Sequence, residues 1–140
     1  MNAEVWGPHA WIFLHSITIN YPHNPTTEDK KHYFNLFDNL KNTLPCEICK
    51  VHYKKHLEES PLLDNLHSKD ALIRWLIKIH NKINVMNGKP EWTYQEVIDH
   101  YDNLYKNPYI KLRNNTGLWI FILLIGLSAC GYYIYKNKKK

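Results

Sequence analysis

The chain has 140 residues, of which 44% are hydrophobic and 22% are charged, and its formal net charge is +5. This length suits one compact domain with at most one appended element, and the composition is that of a globular protein. Four lysines lie in the last five residues, and taking them from the 18 basic residues leaves 14 against 13 acidic ones. The body therefore has no basic excess, and we do not expect it to bind nucleic acid.

Apolar residues at helical spacing predict five helices within residues 1–113, each beginning at a proline or a side-chain cap. The predicted starts are Pro8, Thr26, Pro45, Ser68 and Thr93. No segment shows a sustained alternation of period two, and none of the five glycines builds a phosphate-binding loop of the Rossmann or Walker type. The expected fold is all-α: a four-helix bundle with a short fifth helix packed on it.

Residues 117–135 contain no charged side chain, and lysines follow them. A helix of this length spans about 28 Å, close to the thickness of the hydrocarbon core of a bilayer. Trp119 and Tyr132 lie near the two ends, where interfacial aromatic residues are common. We therefore expect domain 1–113, a linker at 114–116, one transmembrane helix at 117–135 and a basic tail at 136–140. A buried core helix is the alternative for 117–135.

The first residues lack the basic and apolar pattern of a secretory signal peptide. A helix so near the C-terminus favours insertion as a tail anchor, with the folded domain in the cytosol. The lysines beyond the helix favour the opposite orientation under the positive-inside rule. We expect a single-pass membrane protein with a cytosolic domain.

Cys46 and Cys49 form a C-x-x-C pair at the start of the third predicted helix. Free amides and the positive end of the helix dipole lower the pKa of a thiol in this position, so such a pair can cycle between dithiol and disulfide. Two alternatives remain open: a pair of unreactive structural cysteines, and a zinc site that also uses His52 and His56. On one helix, Cys46 and His56 are about 15 Å apart, which is too far for ligands of one zinc ion.

A second polar group lies on the apolar fourth helix and just beyond it. His80 and Asn84 are one helical turn apart, with Asn81 beside them and Lys89 past the helix end. Imidazole and amide groups can bind a heterocycle or ribose, and Lys89 can neutralise a phosphate. On the first helix, Trp11 and His15 are also one turn apart. A polar ligand lying along these helices is expected, although a lone histidine on an apolar face is more often a core residue.

Three motifs resemble those of the Erv/ALR family of flavin-dependent sulfhydryl oxidases. They are WGPHAWIFLH at 6–15, C-x-x-C at 46–49, and HNKIN with the following GKP and Trp92 at 80–92. The resemblance covers residues 5–102. It implies a helical bundle that binds FAD without a Rossmann fold, and an enzyme that oxidises thiols.

The resemblance also implies roles for single residues. Cys49 would lie beside the isoalloxazine ring, and Cys46 would meet the incoming thiol. The residues implied in FAD binding are Trp11, His15, His80, Asn81, Asn84, Lys89 and Trp92. For Tyr21, Tyr53 and His52, packing in the core is at least as good an interpretation as flavin contact.

Two departures from the family pattern stand out. The positions that match a structural disulfide of many members are Ile77 and Tyr94, so that brace is missing. The sequence also lacks the second, shuttle cysteine pair found in many members. A short domain without a shuttle resembles the versions encoded by large cytoplasmic DNA viruses, which would place the anchor in a host or virion membrane. The family further implies a homodimer through the first two helices.

The expected activity is thiol oxidation. Electrons would pass from a separate dithiol protein of C-x-x-C or thioredoxin-like type through Cys46 and Cys49 to FAD, and then to O2, giving H2O2. The competing hypotheses are a non-enzymatic, tail-anchored helical adaptor and a zinc-stabilised helical module.

Overall fold

The computed structural model of the protein describes residues 1–106, 123–127 and 136–137. Residues 1–102 form one compact unit, and residues 103–140 form a second. In the first unit the chain is helical, and the described residues contain no β-strand. The helices are α1 (Ala3–Ile19), α2 (Thr27–Thr43), α3 (Glu47–Glu59), α4 (Lys69–Met86) and α5 (Tyr94–Lys106), with a short 3₁₀ helix at Leu63–Asn65. The all-α expectation is confirmed.

Local side-chain caps start three of the helices as predicted. The Asp29 amide donates to Thr26 Oγ1 at 3.1 Å and the Thr26 amide donates to the Asp29 carboxylate at 2.8 Å, which completes a capping box before α2. The Ala71 amide donates to Ser68 Oγ before α4. Thr93 and Glu96 form a second capping box, before α5. These caps satisfy amides that have no partner within the helix.

The start of α1 differs from the prediction. The helix begins at Ala3 rather than at Pro8, because the Asn2 side chain accepts a hydrogen bond from the Glu4 amide and caps the helix earlier. Pro8 lies inside the helix, where it removes one backbone donor. The 3₁₀ helix after α3 was not predicted at all.

The main core lies between the first four helices, where α1 packs on α4 and α2 packs on α3. Phe37, Leu72, Leu76 and Ile79 are fully buried there. Several buried polar groups of the core have hydrogen-bond partners, and Trp75 Nε1 donates to the Ser60 carbonyl at 2.9 Å. The hydroxyls of Tyr21 and Tyr53 likewise donate to the carbonyls of Leu66 and Phe37. These bonds offset the cost of burying the polar atoms.

A second apolar cluster joins α4 to α5. Ile73, Ile77, Val97 and Tyr101 are buried in it, and Tyr94 packs against it. Ile77 and Tyr94, the positions where the expected disulfide brace is missing, thus belong to one apolar cluster. The guanidinium of Arg74 lies 4.1 Å from the centre of the Tyr94 ring.

The predicted transmembrane segment, 117–135, lies outside the described residues except for a helical stretch at 123–127. Within the part of the chain that the structure describes, no helix is both long enough and apolar enough to cross a bilayer. The linker at 114–116 also lies outside the described residues, and of the tail only 136–137 is described.

Candidate functional site

A cavity of about 1000 Å³ opens between α1, α3, α4 and α5. Its volume is at the upper end of the range found for small-molecule sites. Eight of the nine residues singled out in the sequence line it, and Asn81 does not. The eight are Trp11, His15, Cys46, Cys49, His80, Asn84, Lys89 and Trp92.

The cysteine pair forms a disulfide on the α3 side of this cavity. Cys46 and Cys49 are bonded to each other, with their Cα atoms 5.2 Å apart, and both are half-buried. Cys46 is the N-cap of α3, and its Sγ accepts a hydrogen bond from the Cys49 amide at 3.3 Å. On reduction, the positive end of the helix dipole favours a thiolate in this first turn of α3.

An aromatic group forms the wall made by α1 and α4. The rings of Trp11 and His80 are stacked, with centroids 3.9 Å apart and planes 9° apart. His15 Nε2 and His80 Nδ1 are 3.1 Å apart and share a hydrogen bond, in which one imidazole donates and the other accepts. His15 itself is only 1% exposed. α1 and α4 therefore hold these rings in one fixed arrangement.

Burial keeps both imidazoles of this wall neutral. It lowers the pKa of His15 to about 3, with smaller contributions from the neighbouring His80 and His100. Burial and then the positive charge of Lys89 lower the pKa of His80 to about 4. Since both values lie well below 7, the pair is uncharged at physiological pH.

Two polar atoms of the cavity residues are buried without a partner. Trp6 Nε1 and His15 Nδ1 have no hydrogen-bond partner among the residues that the structure describes. Trp6 and His15 both line the cavity. A buried polar atom left unpaired costs about 1–3 kcal/mol, so these atoms favour a polar ligand in the cavity.

Asn81 has a different position from the one expected. Its side-chain NH2 donates to the Trp92 carbonyl at 2.8 Å, and its side-chain oxygen accepts from the Trp92 amide at 2.9 Å. Both ends of the amide are therefore occupied by backbone 11 residues further along. Asn81 fixes the loop that brings Trp92 to the cavity, and it does not line the cavity itself.

The turn after α4 brings Lys89 to the same region. Gly88 has a φ of +67°, a conformation that favours glycine. The Lys89 amide then donates to the Asn84 carbonyl at 2.8 Å. This bond closes the end of α4 and brings Lys89 back beside the last helical turn.

Comparison with known proteins gives the family. The model of the Erv1 / Alr family matches residues 8–103. The chain belongs to this family.

Its relatives in the Erv1/Alr family include viral and mitochondrial proteins. A probable FAD-linked sulfhydryl oxidase of Acanthamoeba polyphaga mimivirus is 42% identical over 100 residues, which are 71% of this chain and 70% of the relative. An FAD-linked sulfhydryl oxidase of African swine fever virus is 27% identical over 76% of this chain and 84% of its own length. The mitochondrial FAD-linked sulfhydryl oxidase ERV1 of Saccharomyces cerevisiae is 31% identical over 65% of this chain, and the match spans only 47% of the yeast protein.

The fold agrees with that of solved Erv1 structures. The crystal structure of the FAD-binding domain of Erv1 from Saccharomyces cerevisiae has a TM-score of 0.66 and 26% identity, covering 78% of this chain and 98% of that one. The yeast Erv1 core, at 24% identity, has a TM-score of 0.63 and supports the fold alone.

Sequence reasoning missed the contribution of α5 to the cavity of this Erv1/Alr chain. His100 and Tyr101 both line it. The Tyr101 ring lies 4.9 Å from His15, its hydroxyl donates to the Trp11 carbonyl at 3.3 Å, and Trp92 meets His100 edge to face. The spacing of Val97 and Tyr101 indicates a buried face of α5, but no local sequence feature shows that this face meets α1.

Of the three residues left open, two also line the cavity. Tyr53 and His52 are on its α3 side, whereas Tyr21 does not line it and packs in the core. Tyr53 belongs to the core as well, because its hydroxyl is bonded to a backbone carbonyl. His52 is half-buried beside the disulfide.

Proposed function

We propose that this protein oxidises dithiols of partner proteins to disulfides and that Cys46 and Cys49 receive the electrons. Membership of the Erv1/Alr family makes the chain an FAD-linked sulfhydryl oxidase. The observation that carries the more detailed proposal is a disulfide on the wall of a large cavity that also contains the aromatic group around Trp11 and His80.

The cavity residues fit FAD in size and chemistry. A volume of about 1000 Å³ accommodates a large ligand. The unpaired Trp6 Nε1 and His15 Nδ1 offer polar contacts, the Trp11 ring offers a stacking surface, and Lys89 offers a positive charge for a phosphate. The residues that would hold FAD are Trp11, His15, His80, Asn84, Lys89 and Trp92. When bound, FAD would supply a two-electron acceptor that passes the electrons of the dithiol on to O2, which gives H2O2.

The cysteines carry out the exchange with the substrate. A substrate thiolate attacks Cys46 Sγ, which breaks the Cys46–Cys49 bond, forms a mixed disulfide and releases Cys49 as a thiolate. The second thiol of the substrate then attacks the mixed disulfide, forms the substrate disulfide and releases Cys46 in reduced form. Cys49 is suited to be the leaving group, because the N-terminus of α3 stabilises negative charge on its sulfur.

The electron donor that we propose is a separate dithiol protein of C-x-x-C or thioredoxin-like type. We also propose a homodimer through α1 and α2, supported by exposed apolar side chains on both helices: Val5, Phe13 and Leu36. A C-terminal membrane anchor at 117–135, with the domain in the cytosol, remains part of the proposal on sequence grounds alone.

The decisive experiment compares two cysteine variants of the full-length protein. Cys49→Ser should retain bound FAD, visible as absorbance in the blue, and lose O2 uptake driven by dithiothreitol. Cys130→Ser is the matched control, because it removes a cysteine outside the C-x-x-C pair, and it should keep both properties.

Two results would contradict the proposal. Unchanged O2 uptake in Cys49→Ser would mean that the pair does not receive the electrons. A purified wild-type protein that is colourless and contains stoichiometric zinc would support the zinc-stabilised module instead.

A further inference from the structure

Helix α3 carries a row of titratable side chains that begins at the disulfide. Cys49, His52, His56 and Glu59 follow one another at steps of three, four and three residues. Residues at these steps lie on one face of a helix, with about 5–6 Å between neighbouring Cβ atoms. A line of groups that can exchange protons therefore leads away from the redox pair.

His56 is the least expected member of this row. It is 6% exposed, and neither of its ring nitrogens has a hydrogen-bond partner among the described residues. The nearest polar group is the Glu59 carboxylate, whose Oε2 lies 3.6 Å from His56 Nδ1 and is itself bonded by Lys82 Nζ. Packing alone would favour an apolar side chain here, because a buried imidazole without a hydrogen bond opposes folding.

The charges around His56 keep it neutral. Burial and then the positive charge of Lys82 lower its pKa, and Glu59 opposes them with a smaller effect. A charge on His52 acts in the same direction as Lys82. Lys55 faces the same Glu59 carboxylate, and Asp64, Arg74 and Lys78 line a second pocket together with Glu59.

His52 differs from the buried His56, because it is half-buried and lines the cavity. It lies one helical turn from Cys49. Side chains on a helix lean towards its N-terminus, so the His56 ring covers the turn that carries His52. With Nδ1 of His56 on the side of Glu59 and Nε2 without a partner among the described residues, the Nε2 lone pair is available to accept a hydrogen bond. A neutral His56 can then orient a protonated His52.

We propose that His52 accepts a proton when the Cys46–Cys49 disulfide is reduced, and that His56 is a positioning residue for it. This inference rests on the proposed function. The substrate dithiol loses two electrons and two protons as its disulfide forms. The electron pair breaks the Cys46–Cys49 bond, one proton goes to the Cys46 sulfur, and the other goes to His52. Cys49 remains a thiolate beside an imidazolium, the protonation state that favours electron transfer from its sulfur.

The test measures the pKa of Cys49 directly, without turnover. In the full-length protein with FAD bound and Cys46→Ser, the rate at which iodoacetamide alkylates Cys49 is followed against pH by peptide mass spectrometry. Adding His52→Gln should slow alkylation at pH 7 about tenfold, because an opposite charge at this range shifts a pKa by about one unit or more. His67→Gln, which removes an exposed histidine before α4, is the control and should change nothing.

His56 is tested by two replacements that separate positioning from packing. His56→Leu and His56→Gln should each slow alkylation of Cys49 about threefold at pH 7, and His56→Leu should unfold at the same or a higher temperature. If His56 only packs, the stability of these variants changes and the pH profile of Cys49 does not.

The outcomes also separate this inference from the proposed function. A pH profile of Cys49 that is the same with and without His52 overturns the inference, whatever the oxidase activity. A profile that depends on His52 supports it, and absence of O2 uptake in the same wild-type protein would then count against the proposed function only.

Discussion

Two pairs of histidines differ in what their ring nitrogens contact, and all four of these histidines except His56 line the cavity. His15 and His80 bond to each other across α1 and α4, and Trp11 stacks on His80. His52 and His56 lie along one helix, and the nitrogens of His56 have no hydrogen-bond partner among the described residues. The first pair is bonded within itself and leaves one nitrogen, His15 Nδ1, unpaired, whereas both ring nitrogens of His56 are unpaired among the described residues.

This difference corresponds to two tasks of a redox site: holding a cofactor, and exchanging protons with the cysteine pair. A cofactor needs a wall whose shape and charge do not change, and the neutral, stacked pair on α1 and α4 provides it. Exchange of protons with a cysteine pair needs groups whose protonation can change, and these lie on α3 behind the disulfide. Substitutions that act on one pair should therefore leave the other unaffected.

The largest effect is expected for Trp11→Ala, which removes the ring stacked on His80. Loss of this contact should weaken FAD binding about 100-fold and destabilise the domain by about 3 kcal/mol. FAD titration followed by absorbance measures the first and urea unfolding the second. Val51→Ala, which truncates an exposed apolar side chain of α3 outside the cavity lining, should change the FAD affinity and the stability by only a small fraction of these amounts. Equal losses in both variants would mean that the stacked wall has no special role.

Acidification should act on the first pair about as strongly. The pKa values of His15 and His80 are about 3 and about 4 in the folded protein, against 6.5 for an ordinary histidine, so between these values the unfolded chain binds more protons. Stability is fully present above about pH 6.5 and falls as the pH drops, by about 2 kcal/mol for each histidine at pH 5. Carboxyls with lowered pKa values, such as that of Asp29, titrate below this window.

Urea unfolding at pH 7 and at pH 5 measures this loss. His15→Gln should show a smaller difference between the two pH values than the wild-type protein. A wild-type stability that is the same at both would contradict the buried, neutral state of the pair.

A smaller effect is expected for Asn81→Ala, which removes two hydrogen bonds to the Trp92 backbone. The cost should be about 1–2 kcal/mol, and FAD binding should weaken less than in Trp11→Ala because the ligand loses no direct contact. Calorimetric titration with FAD gives the affinity. Asn39→Ala, which removes an exposed side chain of α2 that makes one hydrogen bond to the backbone, is the matched control. If Asn81→Ala weakens FAD binding as strongly as Trp11→Ala, then Asn81 contacts FAD directly.

The smallest effect is expected for Gly88→Ala at the end of α4. No atom lies within 4 Å of the added Cβ, so the cost comes only from the positive φ and should be about 1 kcal/mol. Gly88→Asn should cost less, because asparagine tolerates this conformation better. Thermal unfolding of the two variants measures the order, and an unchanged stability in Gly88→Ala would mean that the turn rearranges.

Local sequence signals predicted much of this fold. The caps at Thr26, Ser68 and Thr93 were predictable because each involves residues no more than three positions apart. The C-x-x-C pair and the glycine turn after α4 are also local features. The residues that line the cavity were largely identified, because helical spacing and the family motifs placed them on known faces.

The features that the sequence did not predict have a common cause in contacts between distant residues. The role of Asn81 depends on the backbone of Trp92, and the position of His100 and Tyr101 in the cavity depends on the packing of α5 against α1. The start of α1 was misjudged for another reason, since the cap at Asn2 outweighs the tendency of a proline to begin a helix.

The contact between α4 and α5 has a consequence for how the protein withstands reductants. Where many Erv1/Alr members have a bracing disulfide, Ile77 and Tyr94 join one apolar cluster, and the Arg74 guanidinium covers the Tyr94 ring. Such contacts are insensitive to glutathione or dithiothreitol. Among the described residues, the Cys46–Cys49 bond is the only covalent cross-link. A thiol-rich environment can therefore reduce this pair while the packing of α4 against α5 stays intact.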